Sequence, residues 1–280
     1  MKDRFQETRI PPLSMVAIQV MQFDPEASNA SSYSMEQIVT PDKGVSAEIL
    51  RISNSAFYGR SGKVKTLREA ITLLGLKTVK NLVILLSTKS MSLNIKGPLL
   101  KKYIQELPIV TALVAQDLSQ ALGHRELKDE IFVGGLLHKV GMTILAINYS
   151  REYGPLLEQA DRMKVDFIEL ERERFRTDHV EVGRTVFNTW KLPQQLQDII
   201  SGHNFDAARL NETSDVVRLT ALASLLSRTM IGLELYERDQ ERRDELLRFY
   251  KVGPAVSQEF DASRYPKVQA HPFYQQAVQE

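Results

Sequence analysis

The chain contains no cysteine. Disulfide staples, zinc ribbons, thiolate-held iron–sulfur clusters and thiol catalysis are all excluded by that absence, which fits a reducing compartment. Charge of one sign is lacking too: 36 Lys and Arg stand against 35 Asp and Glu, a net +1. No global field draws such a chain to nucleic acid or to an anionic membrane. No apolar run approaches the ~18 residues that cross a bilayer. The opening MKDRFQETRIPP has no apolar signal core. The expectation is a cytoplasmic protein with no membrane partner. Sustained alternation of apolar and polar residues, the mark of a half-buried strand, is also missing.

What is present is helical spacing. SAEILRISNSAF sets Ile49, Ile52, Ser53 and Ala56 on one face, and TLREAITLLG does the same with Leu67, Ala70, Ile71 and Leu74. Gly75 reads as the stop of that helix, and TVKNLVILLS as another short buried one. Prolines punctuate between helices rather than within strands. The class is all-α. With 280 residues, 43% hydrophobic and 25% charged, the chain is an ordinary globular one with room for two modest units. A polar, turn-rich stretch, KSMSLNIKGP, marks a boundary. It divides an N-terminal subdomain over residues 1–95 from a second over 96–235. Residues 236–280 follow as a charged helix, in which Asp239 and Arg243 can pair at i,i+4, and an irregular tail.

The residues with chemistry are histidines. Around His138, GGLLHKVGM places Gly134, Gly135 and Gly141 three or four residues away on the same helix face. Three helical glycines cost roughly 3 kcal/mol relative to alanine, so a ligand, a metal or a tightly crossing helix must come close. His179 opens the next candidate helix behind Asp178, with Glu181 at capping-box spacing. His203 falls four residues after Ile199 and points inward. A single histidine on an apolar face is more often a hydrogen-bonded core residue than a ligand; three on consecutive elements point to a cavity. A water-activating metal centre normally includes carboxylates, and Lys139 raises the electrostatic cost of a cation beside it.

LRISNSAFYG, LREAITLLGLKTVKNLV, GGLLHKVGMTIL, DHVEVGRTVFNTWKLP and DIISGHN occur in an order and spacing that resembles the HDOD family, over about residues 8–235. That family is related to the HD and HD-GYP metal-dependent phosphohydrolases. The resemblance implies an N-terminal helical bundle packed on a degenerate HD-type helical domain. It also implies a role in bacterial signal transduction without demonstrated hydrolase chemistry. An active site of the HD type would carry a histidine where this chain has Glu106–Pro108. His138 is followed by Lys139 instead of aspartate. His179 matches a later histidine, the double histidine of HD-GYP enzymes becomes His203–Asn204, and the closing aspartate is missing near Thr220 and Ala221. The resemblance therefore implies a vestigial site of His138, Lys139, His179, His203 and Asn204, with no catalytic residue, cofactor or resident metal.

Other signals are weaker. YGRSGKVKTLREA lacks the four-residue gap of a phosphate-binding loop. TLREAITLLGLKTVKNLVILL has a helix-turn-helix outline, but an apolar second helix cannot read base edges. Between residues 59 and 80, six cations (Arg60, Lys63, Lys65, Arg68, Lys77 and Lys80) stand against Glu69 alone, either a solvated face or a dock for an acidic partner. The reading is a non-enzymatic regulatory module, a pseudo-hydrolase that meets signalling proteins, with a small ligand a further candidate for the old cavity. Nucleic acid is an unfavoured partner. The rival is a metal-dependent phosphohydrolase or cyclic-dinucleotide phosphodiesterase with an atypical site.

Overall fold

Thr66 and Glu69 start one helix by exchanging hydrogen bonds: the threonine oxygen takes the Glu69 N–H and the glutamate takes the Thr66 N–H. After eight helical residues Gly75, at φ 83°, supplies the positive-φ turn that ends it and bends the chain by 108° into the next. The computed structural model describes residues 9–59 and 63–278, and within them every regular element is helical. In chain order the first five helices are α1 (Met15–Gln22), α2 (Ser32–Val39), α3 (Lys43–Ser53), α4 (Leu67–Leu74) and α5 (Leu76–Ser92). α6 (Leu107–Ala121), α7 (Lys128–Leu137), α8 (Val140–Asn148), α9 (Tyr153–Met163) and α10 (Phe167–Phe175) follow. α11 (His179–Trp190), α12 (Gln194–Gly202), α13 (Asp215–Met230) and α14 (Glu237–Phe249) complete the principal set.

α5 is longer than its sequence signal. It runs 17 residues and ends at Ser92, inside the polar stretch KSMSLNIKGP, burying Asn81, Ser87 and Ser92 on the way. The serine hydroxyls bond back to carbonyls three or four residues earlier, which lets them sit in apolar surroundings. Gly97, φ 111°, ahead of Pro98, breaks the chain at the end of the same stretch. α5 packs against α1, α3 and α4 on one side and α7 and α8 on the other, so one apolar core extends from Leu13 to Ala277. Farther on, Pro108 offers no N–H to the carbonyl four residues before it. The preceding turn, Lys102–Glu106, widens to π-helical geometry.

The stretch Arg125–Asn148, comprising α7, α8 and the turn before them, is long and apolar enough to cross a membrane, contrary to the reading of the sequence. But 89% of its apolar window is buried inside the protein, as expected of a central core helix. Its glycines are the reason it can be central. A Cβ at Gly135 would stand 2.7 Å from the Ala112 Cα of α6, one at Gly134 2.4 Å from Ile199, and one at Gly141 1.8 Å from the His179 carbonyl oxygen. Of the three candidates for what approaches this helix, tightly crossing helices are the answer.

Two sequence readings of the C-terminus need correction. α14 is not merely solvated: Asp239 pairs with Arg228 and Arg242 rather than with Arg243, which turns to Asp244. Arg242 is buried. The tail is not irregular either. Short helices at Pro254–Glu259, Tyr265–Gln269 and Pro272–Val278 return to the core and bury Phe260, Val268, Phe273 and Tyr274. The phenols of Tyr265 and Tyr274 both donate to Glu106, anchoring the tail at the start of α6.

Candidate functional site

α7 and α8 meet at a two-residue break, and that break holds His138 and Lys139. The His138 ring closes onto its own helix, its Nδ1 2.7 Å from the Gly135 carbonyl. A carbonyl only accepts, so Nδ1 carries the proton and Nε2 presents a lone pair. That lone pair takes the Ser224 hydroxyl of α13 at 2.9 Å. The two other histidines follow the same logic. His203, just past the end of α12, gives its Nδ1–H to the Ile200 carbonyl at 2.8 Å. His179, at the head of α11, gives its Nδ1–H to Glu171 at 2.7 Å. Each ring thus turns a bare Nε2 toward the interior, the form in which imidazole binds a metal.

Lys139 Nζ lies 3.3 Å from His179 Nε2 and 3.2 Å from His203 Nε2. The ammonium donates to both lone pairs, and it stands 5.4 Å from the centre of the Phe167 ring, whose face is also attractive to a cation. A lysine occupies the place between the imidazoles where a metal cation would be held. His138, Lys139, His179 and His203 are all buried, as the sequence reading required, and Asn204 borders the same space.

Burial first, then the Lys139 charge, pushes His138 down to about 3. His203 is held well below the ordinary histidine range by burial and the same lysine. Burial and the Arg228 charge bring Lys139 itself down to about 8, against the opposing pull of Asp166, Asp239 and Glu171. The cluster is centred on one lysine amine within hydrogen-bond reach of two imidazole nitrogens.

A divalent metal does not fit this donor set. Among the described residues no three His, Asp or Glu side chains are grouped so as to hold one. The His138 lone pair is taken by Ser224, and the other two are taken by an ammonium. The space left beside Tyr103, Phe167, Ala221 and Arg242 is about 20 Å³, roughly one water. A small ligand in the old cavity, one of the sequence expectations, therefore has no room.

Three contributors were missed in the sequence. Glu171 is fully buried and accepts from Tyr153 Oη at 2.5 Å and from the His179 N–H at 2.8 Å as well as from the ring. A carboxylate in this position fixes the ring's orientation and tautomer, as one often does for a metal-ligating histidine. Its neighbours in ELERERF look solvated, yet the spacing Phe167, Ile168, Glu171, Phe175 puts it on the buried stripe. Ser224, one turn beyond Thr220 and Ala221, is the α13 residue that meets His138; Thr220 bonds back to Val216. Arg242 donates to the His203 carbonyl, and α14 thereby covers the cluster. Glu181 departs from expectation: Asp178 caps α11 through the Val180 and Glu181 N–H groups, while the Glu181 carboxylate takes the Thr177 hydroxyl.

The basic stretch is not a uniform positive face. Arg60 lies outside the described residues. Lys63 and Lys65 are exposed, but Arg68 pairs with Glu36 at 2.6 Å and Lys77 with Glu26 at 2.7 Å. Lys80 is half-buried and donates to the Met21 and Phe23 carbonyls, where burial lowers its pKa. Acids distant in sequence neutralise part of the cluster.

The HDOD domain pattern matches residues 10–205, and the chain belongs to the HDOD family. Its fold is similar to that of an HDOD domain protein of unknown function from Geobacter sulfurreducens, with a TM-score of 0.71 at 18% identity over 94% of this chain and 92% of that one. A Shewanella amazonensis protein provisionally named a phosphohydrolase superposes at 0.69, with 20% identity over 99% and 97% of the two chains. A Marinobacter aquaeolei protein provisionally named a signal transduction protein gives 0.71, with 18% identity over 99% of this chain and 62% of the other. An uncharacterized protein of Treponema pallidum is 23% identical over 216 residues; the match spans 77% of this chain and 41% of that one.

Proposed function

We propose that this chain is a signalling module that acts through contacts with other proteins and does not hydrolyse phosphoesters. The observation that supports this reading is the Lys139 ammonium within hydrogen-bond reach of both His179 and His203. Phosphoester hydrolysis of the HD kind needs a cation that acidifies water and a position open to substrate. An ammonium cannot coordinate hydroxide, and a one-water cavity under α14 admits no phosphate. Both oxygens of Glu171 are taken, Oε1 by Tyr153 and Oε2 by His179. The role left to the cluster is structural, since it ties α8, α11 and α12 together at the centre of the second half. The partner-facing surface is read from charge. Lys63 and Lys65, with Arg60 beside them in sequence, form the remaining basic edge for an acidic protein face, steered by electrostatics and weakened by salt.

The test is hydrolysis by purified protein of cyclic dinucleotides and a generic phosphodiester, with Mn²⁺, Mg²⁺ or Fe²⁺ supplied. The reading expects no turnover above that of a His179→Ala preparation. Turnover that disappears with His179→Ala while the fold persists would establish the hydrolase instead.

A further inference from the structure

Three buried cations line one small cavity under α14. They are Lys139 at the α7–α8 break, Arg228 of α13 and Arg242 of α14, and they are 6%, 6% and 3% exposed. Among the described residues no Asp or Glu lines the same space, and Phe167, Ala221 and Leu225 make part of its wall apolar. At about 20 Å³ it has room for a single atom the size of a water, or little larger.

The acids near these cations are already shared out. Asp239 takes Arg228 on one oxygen and Arg242 on the other. Glu171 is held by Tyr153 and His179, and Asp166 by Arg238. These three are the acids whose charges act on Lys139. Against them stand Lys139, Arg228, Arg242 and Arg238, so the protonated cluster carries one positive charge in excess. An ammonium has three N–H bonds. Two of those on Lys139 reach His179 and His203, and the third has no partner among the described residues. The Nζ stands 3.2 Å from His203 and 5.4 Å from the Phe167 ring centre, and both of those side chains are walls of the cavity. Excess charge taken out of water is costly, and a lone water offers it only a dipole.

We propose that this cavity holds one monatomic anion of the halide class, chloride in an ordinary salt solution, which accepts the third Lys139 N–H between the Arg228 and Arg242 guanidiniums. Recognition rests on positive charge around a hole one atom wide, so phosphate and carboxylates are excluded by size. The ion would join the α7–α8 break, α13 and α14, and so fasten α14 over the histidines. Both this site and the non-enzymatic reading start from Lys139, but they fail separately: turnover tests one and halide binding the other.

The NMR line of free chloride broadens when the ion exchanges with a protein site, so chloride itself is the probe. With the whole protein at neutral pH the excess linewidth should saturate, with a Kd on the order of 10 mM, and bromide should displace it. At chloride ten times above Kd the folded-to-unfolded ratio should exceed that in gluconate of equal ionic strength by about tenfold. Lys139→Met removes the donor and should lose both effects. Ala221→Val keeps all three cations but puts methyl groups into the hole, and it should lose both as well. In crystals soaked in bromide, the anomalous signal should include a peak within hydrogen-bond reach of Lys139 Nζ. Linewidth that does not saturate in wild type, chloride effects retained in either variant, or bromide found only at the surface would overturn the proposal and leave a water in the cavity.

Discussion

Replacing Lys139 by methionine removes one buried charge while nearly preserving volume, and the consequence is legible in pH. The folded-state pKa is about 8, against 10.5 for an ordinary lysine. Below pH 8 both the folded and the unfolded chain hold the proton, and stability is indifferent to pH through this group. Between 8 and 10.5 the unfolded chain keeps a proton that the folded chain has released. Stability must therefore rise with pH across that window, by ~1.4 kcal/mol per unit for one group. The gain is about 3 kcal/mol in total. Methionine cannot contribute it. Urea unfolding of wild type and Lys139→Met at pH 7.5, 9 and 10.5, followed through the single buried Trp190 on α11, reads the difference directly and cancels every other titrating group. Wild type should gain on the variant by about 3 kcal/mol from the lowest to the highest pH. Parallel curves would mean that Lys139 titrates as an exposed lysine, and the ammonium could not be buried between the two imidazoles.

Acid acts on the histidines with the same sign rule. His138 is held at about 3 and His203 is also held low, so below pH 6.5 the unfolded chain binds protons that the folded chain refuses. Stability should fall by about 3 kcal/mol near pH 4.5 from His138 alone, with His203 adding to the loss; a flat denaturant midpoint from pH 7 to 4.5 would refute this. Gly141→Ala places a methyl against the His179 carbonyl and should cost on the order of 3–5 kcal/mol in chemical denaturation, whereas Gly253→Ala, with open space around it, should be nearly silent. Reversing Arg60, Lys63 and Lys65 to glutamate should leave circular dichroism unchanged and weaken capture of an acidic partner. Undiminished, salt-insensitive capture would remove that edge from the interface.

Helical class, the stop at Gly75, the inward direction of His138, His179 and His203, and the close crossing at Gly134, Gly135 and Gly141 were all readable from spacing and glycine placement. These are local signals, set by neighbours within one or two turns. What escaped depends on partners far along the chain. Glu171 sits in a charged run and looks solvated until Tyr153 and His179 arrive around it. Ser224 completes His138 from 86 residues away. Arg242 and Asp239 belong to a helix whose composition says solvent, yet Arg228 and the His203 carbonyl draw it over the cluster. The basic stretch failed in the opposite direction: its cations are adjacent in sequence, but Glu36, Glu26 and Asp129 come from elsewhere to neutralise them. Lys139 itself was legible as an obstacle to a metal, not as the occupant of its place.

That occupancy is most directly tested by calorimetric titration of the metal-free protein with Zn²⁺ and Mn²⁺, wild type beside Lys139→Asp. The ammonium between His179 and His203 predicts no saturable binding by wild type. Removing it exposes two Nε2 lone pairs next to a new carboxylate, and Lys139→Asp should take up close to one Zn²⁺ per chain. Stoichiometric binding by wild type, abolished by His179→Ala, would contradict the account.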